Sequence, residues 1–119
     1  MRIREGIQDD VAVLKVAGHL MSRPQVVEFH GHVKRLVDDQ VVHLVADFSE
    51  VIWFGSAMLG VLAASLVTVR KVGGDLRLTG LNPTTDHALA VTHLNTVFRV
   101  FEQVDEAVAS YQSAQFKSL

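Results

Sequence analysis

The sequence predicts an α/β domain built on a mixed, mostly parallel sheet of four to five strands with about four helices beside it. Three observations point there. Short β-branched runs alternate with segments of helical period along most of the chain. Val41-Val42-His43-Leu44-Val45-Ala46 is a nearly unbroken apolar run, the pattern of a strand covered on both faces in a parallel sheet. A length of 119 residues, 49% of them apolar, suits one hydrophobic core and leaves little room for a second domain.

The elements follow in order. Ile3 and Ile7 mark a first short strand, Asp9-Asp10 supplies a turn, and Val11, Val13, Leu14 and Val16 form a second strand ended by Gly18. Ser22 is positioned as an N-cap, with Pro24 tolerated in the first helical turn where backbone donors lack partners. Val26, Phe29, Val33, Leu36 and Val37 then recur at helical spacing up to Gln40. The strand Val41 to Ala46, closed by Asp47, is expected at the sheet centre around Leu44 to Ala46, with Phe48 to Phe54 as a linker. A second helix is expected from about Ser56 to Val72, stopped by Gly73-Gly74. Leu76, Leu78 and Thr79 make the next strand, and Asn82-Pro83 opens a third helix with an Asx cap and a proline at the first position. Val97 to Phe101 reads as a last strand and Val104 to about Tyr111 as a last helix. The domain is thus expected over 3–111, with 112–119 as a fraying tail. Val13, Val45, Leu59, Leu62, Leu66 and Leu78 are expected in the core.

Composition narrows the function. Thirteen acidic and eleven basic residues leave a net charge of −2 without a basic block, which argues against nucleic acid as a partner. The absence of cysteine excludes disulfides, thiolate metal sites and cysteine nucleophiles, and suits a reducing cytosol. Met1 to Gly6 lacks the apolar core of a signal peptide, and the longest apolar stretch, Met58 to Val69, falls short of the roughly 20 residues needed to span a bilayer. A cytoplasmic protein without membrane insertion is expected. Of six histidines, His30 and His32 are closest, but positions i and i+2 on a helix diverge by about 200°, so no metal site is expected. Gly55 to Gly60 fits neither a phosphate-cradling loop nor a nucleophile elbow, and no catalytic residue or cofactor is assigned.

The second helix carries the most information. Leu59, Leu62, Ala63, Leu66 and Val69 share one face, the natural core face. The opposite arc holds Ala57, Val61, Ala64, Thr68, Lys71 and Val72, and apart from Lys71 it lacks the charges of a solvated helix. Either a neighbouring loop covers this arc or it is an exposed patch for a partner. Ser56 stands where linker becomes helix, where a serine caps free backbone donors or, once phosphorylated, places up to about two negative charges beside the apolar arc.

The stretch Asp47-Phe48-Ser49-Glu50-Val51-Ile52-Trp53-Phe54-Gly55-Ser56-Ala57-Met58-Leu59-Gly60 resembles the signature of STAS domains, the anti-sigma factor antagonists and their relatives. There it reads roughly Asp-Leu-Ser-x-Val-x-Phe-Ile-Asp-Ser-Ser-Gly-Leu-Gly. Val16-Ala17-Gly18-His19-Leu20, Gly73-Gly74-Asp75-Leu76-Arg77-Leu78, Leu81-Asn82-Pro83 and Leu94-Asn95-Thr96-Val97-Phe98 are similar to other family segments, in the family's order, from about Val11 to Ala109. The resemblance implies a mixed sheet with helices beside it, and a protein that binds an anti-sigma factor doubling as a serine kinase. It implies phosphorylation of Ser56, the first serine of the family motif. Partner contacts are expected at Val61, Ala64 and Thr68 of the apolar arc, and at Gly55, Ala57 and Met58 beside Ser56. Gly55 replaces the family aspartate, Ala57 the second serine, Met58 the following glycine, and Met21 the acidic residue after the second strand. Two further readings stand beside the switch: a STAS scaffold or subunit that is not phosphorylated, and a small-molecule or lipid binder of a transporter system. The apolar arc is also compatible with a homodimer.

Overall fold

The computed structural model describes residues 1–18 and 20–117. His19 of the second-strand resemblance and the end of the expected tail, 118–119, lie outside the described residues. The elements in order are β1 (Arg2–Gln8), β2 (Val11–Ala17), α1 (Arg23–Asp38), β3 (His43–Glu50), α2 (Ser56–Arg70), β4 (Asp75–Thr79), α3 (Pro83–Val91), a 3-10 turn (Leu94–Thr96), β5 (Val100–Phe101) and α4 (Val104–Lys117). They form one five-stranded sheet in the order β1-β2-β3-β4-β5. β1 is antiparallel to β2 and every other pair is parallel, so β3 is central, as its apolar run requires.

Local chemistry explains most boundaries. Asp9 and Asp10 both adopt left-handed backbone, φ 51° and 66°, in the two-residue turn of the β1–β2 hairpin, a conformation Asp tolerates better than most residues. At the start of α1, the Gln25 side-chain oxygen accepts from the backbone N–H groups of Met21 and Ser22. α2 stops at Arg70, short of Val72, and the chain turns through Gly73 at φ +85° while Gly74 N–H returns to the Val69 carbonyl at 2.9 Å. The Asn82 side chain accepts from Thr85 N–H at 2.9 Å and caps α3 as expected.

Four expectations need correction. β3 begins at His43 and runs through Phe48 to Glu50, because Phe48 is buried in the core and Asp47 continues the pairing, opposite Lys15 and Thr79. The last strand is confined to Val100–Phe101, since Leu94–Thr96 coils into a 3-10 turn that buries Phe98 instead. α4 runs past Tyr111 to Lys117, as neither glycine nor proline interrupts 112–117. Val13 is only half-buried, because it lies on the sheet face that α4 covers incompletely.

The two faces of the sheet are unequal. Leu14, Val16, Leu44, Ala46, Phe48, Leu76 and Leu78 face α1 and α2 and meet Val26, Phe29, Val33, Met58, Leu62 and Leu66. On the other face a smaller group, Val11 and Val45 with Ala107, Val108 and Tyr111, seats α4. At about 1.5–3 kcal/mol per fully buried large apolar side chain, the α1/α2 layer supplies most of the hydrophobic stabilisation.

α4 is therefore held by polar contacts as well. The single hydroxyl hydrogen of Tyr111 is shared between the carbonyls of Leu44 (2.7 Å) and Asp75 (2.8 Å), and its oxygen accepts from Leu44 N–H. The Arg77 guanidinium lies 3.8 Å over the Tyr111 ring and donates to Asp75, while His43 stacks on the ring at 4.6 Å. Burial, more than the opposing influence of Arg77, pushes the Tyr111 hydroxyl far above its usual pKa, so it stays protonated. Tyr111→Phe keeps the ring and deletes the clamp. It should lower unfolding stability by about 1–3 kcal/mol, read as a lower urea midpoint with an unchanged slope.

Candidate docking groove with Ser56 at its mouth

The segment from Val51 to Gly55 carries the chain from the carboxyl end of β3 into α2. Val51 and Phe54 turn inward and are buried, with Phe54 edge-on to Phe48 at 5.6 Å. Gly55 N–H donates to the Leu20 carbonyl at 2.9 Å, beside a Leu20–Phe54 bridge that ties the segment to the end of β2. From the other side the Asn82 side-chain amide donates to the carbonyls of Val51 (3.2 Å) and Ile52 (2.8 Å). With the ends fixed this way, Ile52 and Trp53 point outward, 84% and 44% exposed.

Ser56 follows as the first residue of α2 and is exposed. Gly55 is the N-cap, has extended backbone, and offers no side chain to the first-turn donors; its carbonyl accepts from Met58 N–H at 3.1 Å. The Ser56 hydroxyl is thus not the capping group.

α1 packs alongside the arc of α2 opposite its core face, closely but incompletely. Arg23, Val27 and His30 from α1 and Ser56, Ala57, Gly60, Val61 and Ala64 from α2 line a groove of about 360 Å³. Ser56 stands at one end. At the other, Thr68 donates its hydroxyl hydrogen to the Ala64 carbonyl, so His30 Nε2 is the donor to Thr68 Oγ1 at 3.0 Å. The apolar arc is therefore covered by a helix, not a loop, and retains an open cleft.

Of the expected site residues, Ser56, Ala57, Val61 and Ala64 are brought together here, with Ser56 and Ala64 exposed and Ala57 and Val61 half-buried. Thr68 lies at the far end, half-buried against His30. Met58 is not on this surface. It is fully buried, because two residues on from Ser56 the helix has turned to the core, where Met58 joins Leu62 and Leu66. Gly55 is also buried, and a Cβ there would meet the Met21 carbonyl at 3.1 Å and the Trp53 ring at 3.7 Å. His30 and His32 diverge as expected, His30 to Thr68 and His32 to Glu5 and Glu28.

Sequence reasoning missed two features of the site. Ile52 and Trp53 fall in the linker by sequence, although four apolar residues in succession from Val51 cannot all turn inward in an extended segment. With Met21, 51% exposed, they form an apolar rim beside Ser56. The Asn82-Pro83 pattern announces only a cap, and no local pattern announces the contact of Asn82 with Val51 and Ile52.

Residues 3–107 match the family model described as STAS domain. An anti-sigma factor antagonist from Mycobacterium paratuberculosis is 25% identical with a TM-score of 0.81, covering 92% of each chain. The Bacillus cell fate determinant SpoIIAA in its phosphorylated form is 13% identical with a TM-score of 0.71, covering 92% of this chain and 99% of that one. A sulfate transporter family protein from Wolinella succinogenes is 17% identical with a TM-score of 0.70, covering 87% and 85%.

The groove makes a pH prediction. Burial first, and the nearby Lys34 charge second, hold the His30 pKa below its ordinary 6.5, so the folded state favours neutral imidazole. Unfolding then takes up a proton between the lowered folded value and 6.5. The stability due to neutral His30 is present above 6.5 and is lost as pH falls through that window. Between about pH 7.5 and 5, the wild type should lose more stability than His30→Gln, measured by urea unfolding at both values.

Proposed function

The chain belongs to the STAS domain family, and we propose that it is a regulatory protein-binding module of the anti-sigma factor antagonist kind. It docks an anti-sigma factor that is also a serine kinase on the groove between α1 and α2, and phosphorylation of Ser56 switches that docking off. One observation carries this reading: an accessible hydroxyl stands at the mouth of a cleft whose α2 wall, Ala57, Gly60, Val61 and Ala64, bears no charge. The wall suits a partner that excludes water from it.

In the switch, the Ser56 oxygen attacks the γ-phosphorus of ATP, ADP leaves, and the hydroxyl proton passes to solvent. The product carries up to about two negative charges at the edge of the cleft. The first-turn N–H groups of α2 tolerate them in the free protein, because a helix N-terminus favours anions. Inside an apolar interface they lack counter-charge, and an unpaired buried charge costs several kcal/mol, on the order of a hundredfold or more in affinity. The fold stays intact while binding is lost.

A second reading, a scaffold that binds its partner without phosphorylation, is favoured by the rim. Met21, Gly55 and Ala57 stand where the family carries acidic residues and a second serine, and Trp53 leans towards Gly55. A kinase that reads acidic neighbours meets an apolar surface here.

Two measurements test these readings, the first the docking they share and the second the switch that separates them. Ala64→Glu should weaken binding of the anti-sigma factor at least about tenfold by calorimetry, with a melting temperature within a degree or two of the wild type, because Ala64 is exposed. Unfolding of that variant would make the arc core. Incubation with the kinase and ATP should add one phosphate to Ser56 by mass spectrometry and none to Ser56→Ala. No phosphate, from a kinase preparation that modifies another antagonist, would leave the scaffold.

A further inference from the structure

The face of the sheet that seats α4 is covered over only part of its length. Val11 and Val45 lie in the covered part with Val13 at its edge, and Gln8 donates to Asp105 of α4 at 2.9 Å. Beyond them, at the carboxyl ends of β2 and β3, the face is open. The β1–β2 register sets Arg2 opposite Ala17 and Arg4 opposite Lys15, so by strand alternation the three cations share this face. A register shift between β2 and β3 then sets Glu50 opposite Ala17, two β2 residues spanning Asp47 to Glu50. Bulges of this kind re-aim side chains beside functional sites. Here the shift brings the Glu50 carboxylate to 3.7 Å from Arg4 and 3.9 Å from Lys15.

Arg2, Arg4, Lys15, Ala17 and Glu50 line a recess of about 190 Å³. Both ion-pair distances exceed hydrogen-bond length, so the donors of Arg4 and Lys15 remain available to a ligand. Arg2 makes no ion pair among the described residues. Asp47, next to Lys15 in register, is buried and turns its carboxylate to Ser49 N–H. Three cations against the one lining carboxylate leave a surplus of two positive charges, which the neighbouring Asp47 carboxylate reduces to about one, in a recess of small-oxyanion size. The recess lies on the sheet face opposite the α1–α2 groove and does not rest on the docking reading.

We propose that this recess binds a phosphate dianion, free or as a monoester of a small molecule, through Arg2, Arg4 and Lys15. Arginine presents paired donors that match phosphate oxygens, and Lys15 adds a point charge from the neighbouring strand. Glu50 spaces the cations and opposes the ligand, so it limits affinity.

The test is a titration of the full-length ¹⁵N-labelled protein with inorganic phosphate at constant ionic strength, with chloride as the control and glycerol phosphate as a second ligand. Saturable amide shifts confined to Arg2–Arg4, Lys15–Ala17 and Glu50 are expected. Arg4→Gln with Lys15→Gln should weaken binding about tenfold or more, and Glu50→Gln should tighten it several-fold. The spectra elsewhere report whether each variant is folded. Tighter binding of the monoester by about tenfold assigns an ester ligand, and equal binding assigns free phosphate. Shifts for both ligands that fail to saturate, that equal those in chloride, or that persist unchanged in the double variant would overturn the proposal.

Discussion

Everything at the candidate site depends on how the chain leaves the central strand. β3 is covered on both faces, so its exit must satisfy backbone groups at once and still reverse into a helix. Val51 and Phe54 fill the core, Gly55 is tied to Leu20, and Asn82 holds two carbonyls from the far side. These ties leave no freedom in where α2 begins. They put Ser56 at the surface, turn Met58 inward, and push Ile52 and Trp53 out beside Met21. A site on a flexible loop would reach its geometry only on binding, whereas the surroundings of Ser56 are set by the fold.

Most of the architecture is legible in the sequence because it rests on local signals. The apolar run around Leu44 marks the central strand, the Asp pair marks the hairpin, and Asn82-Pro83 marks a helix start. The misreadings share a cause. Asp47 looks like a strand end, yet neighbouring strands on both sides continue to pair with it, and pairing partners are not local. Val97 looks like strand by composition, yet Phe98 is buried by a tight turn instead. At the site, helical spacing separates Val61 and Ala64 from the core face, but only the position of α1 decides whether that arc is closed or left as a cleft. Met58 shows the limit of motif transfer. Its place in the family signature says nothing of its direction, and the helical turn from Ser56 does.

The two helical layers divide the work. The α1/α2 layer supplies most of the buried apolar surface and also forms the groove, so the groove walls are rigid wherever they are core on their inner side. α4 rests on fewer apolar contacts and is held by Tyr111, Arg77 and Asp75. Because α4 stops short of the β2 and β3 ends, a charged recess stays open behind the site, away from the apolar groove. The two surfaces differ in chemistry as well as position.

The proposed seat for a protein partner is the groove between α1 and α2. Hydrogen–deuterium exchange of the chain, free and saturated with the proposed anti-sigma factor, tests this without any substitution. Protection should rise in residues 21–30 and 53–64 and stay unchanged in α4. Protection confined to α4 or to β1, with the groove segments unaltered, would contradict it.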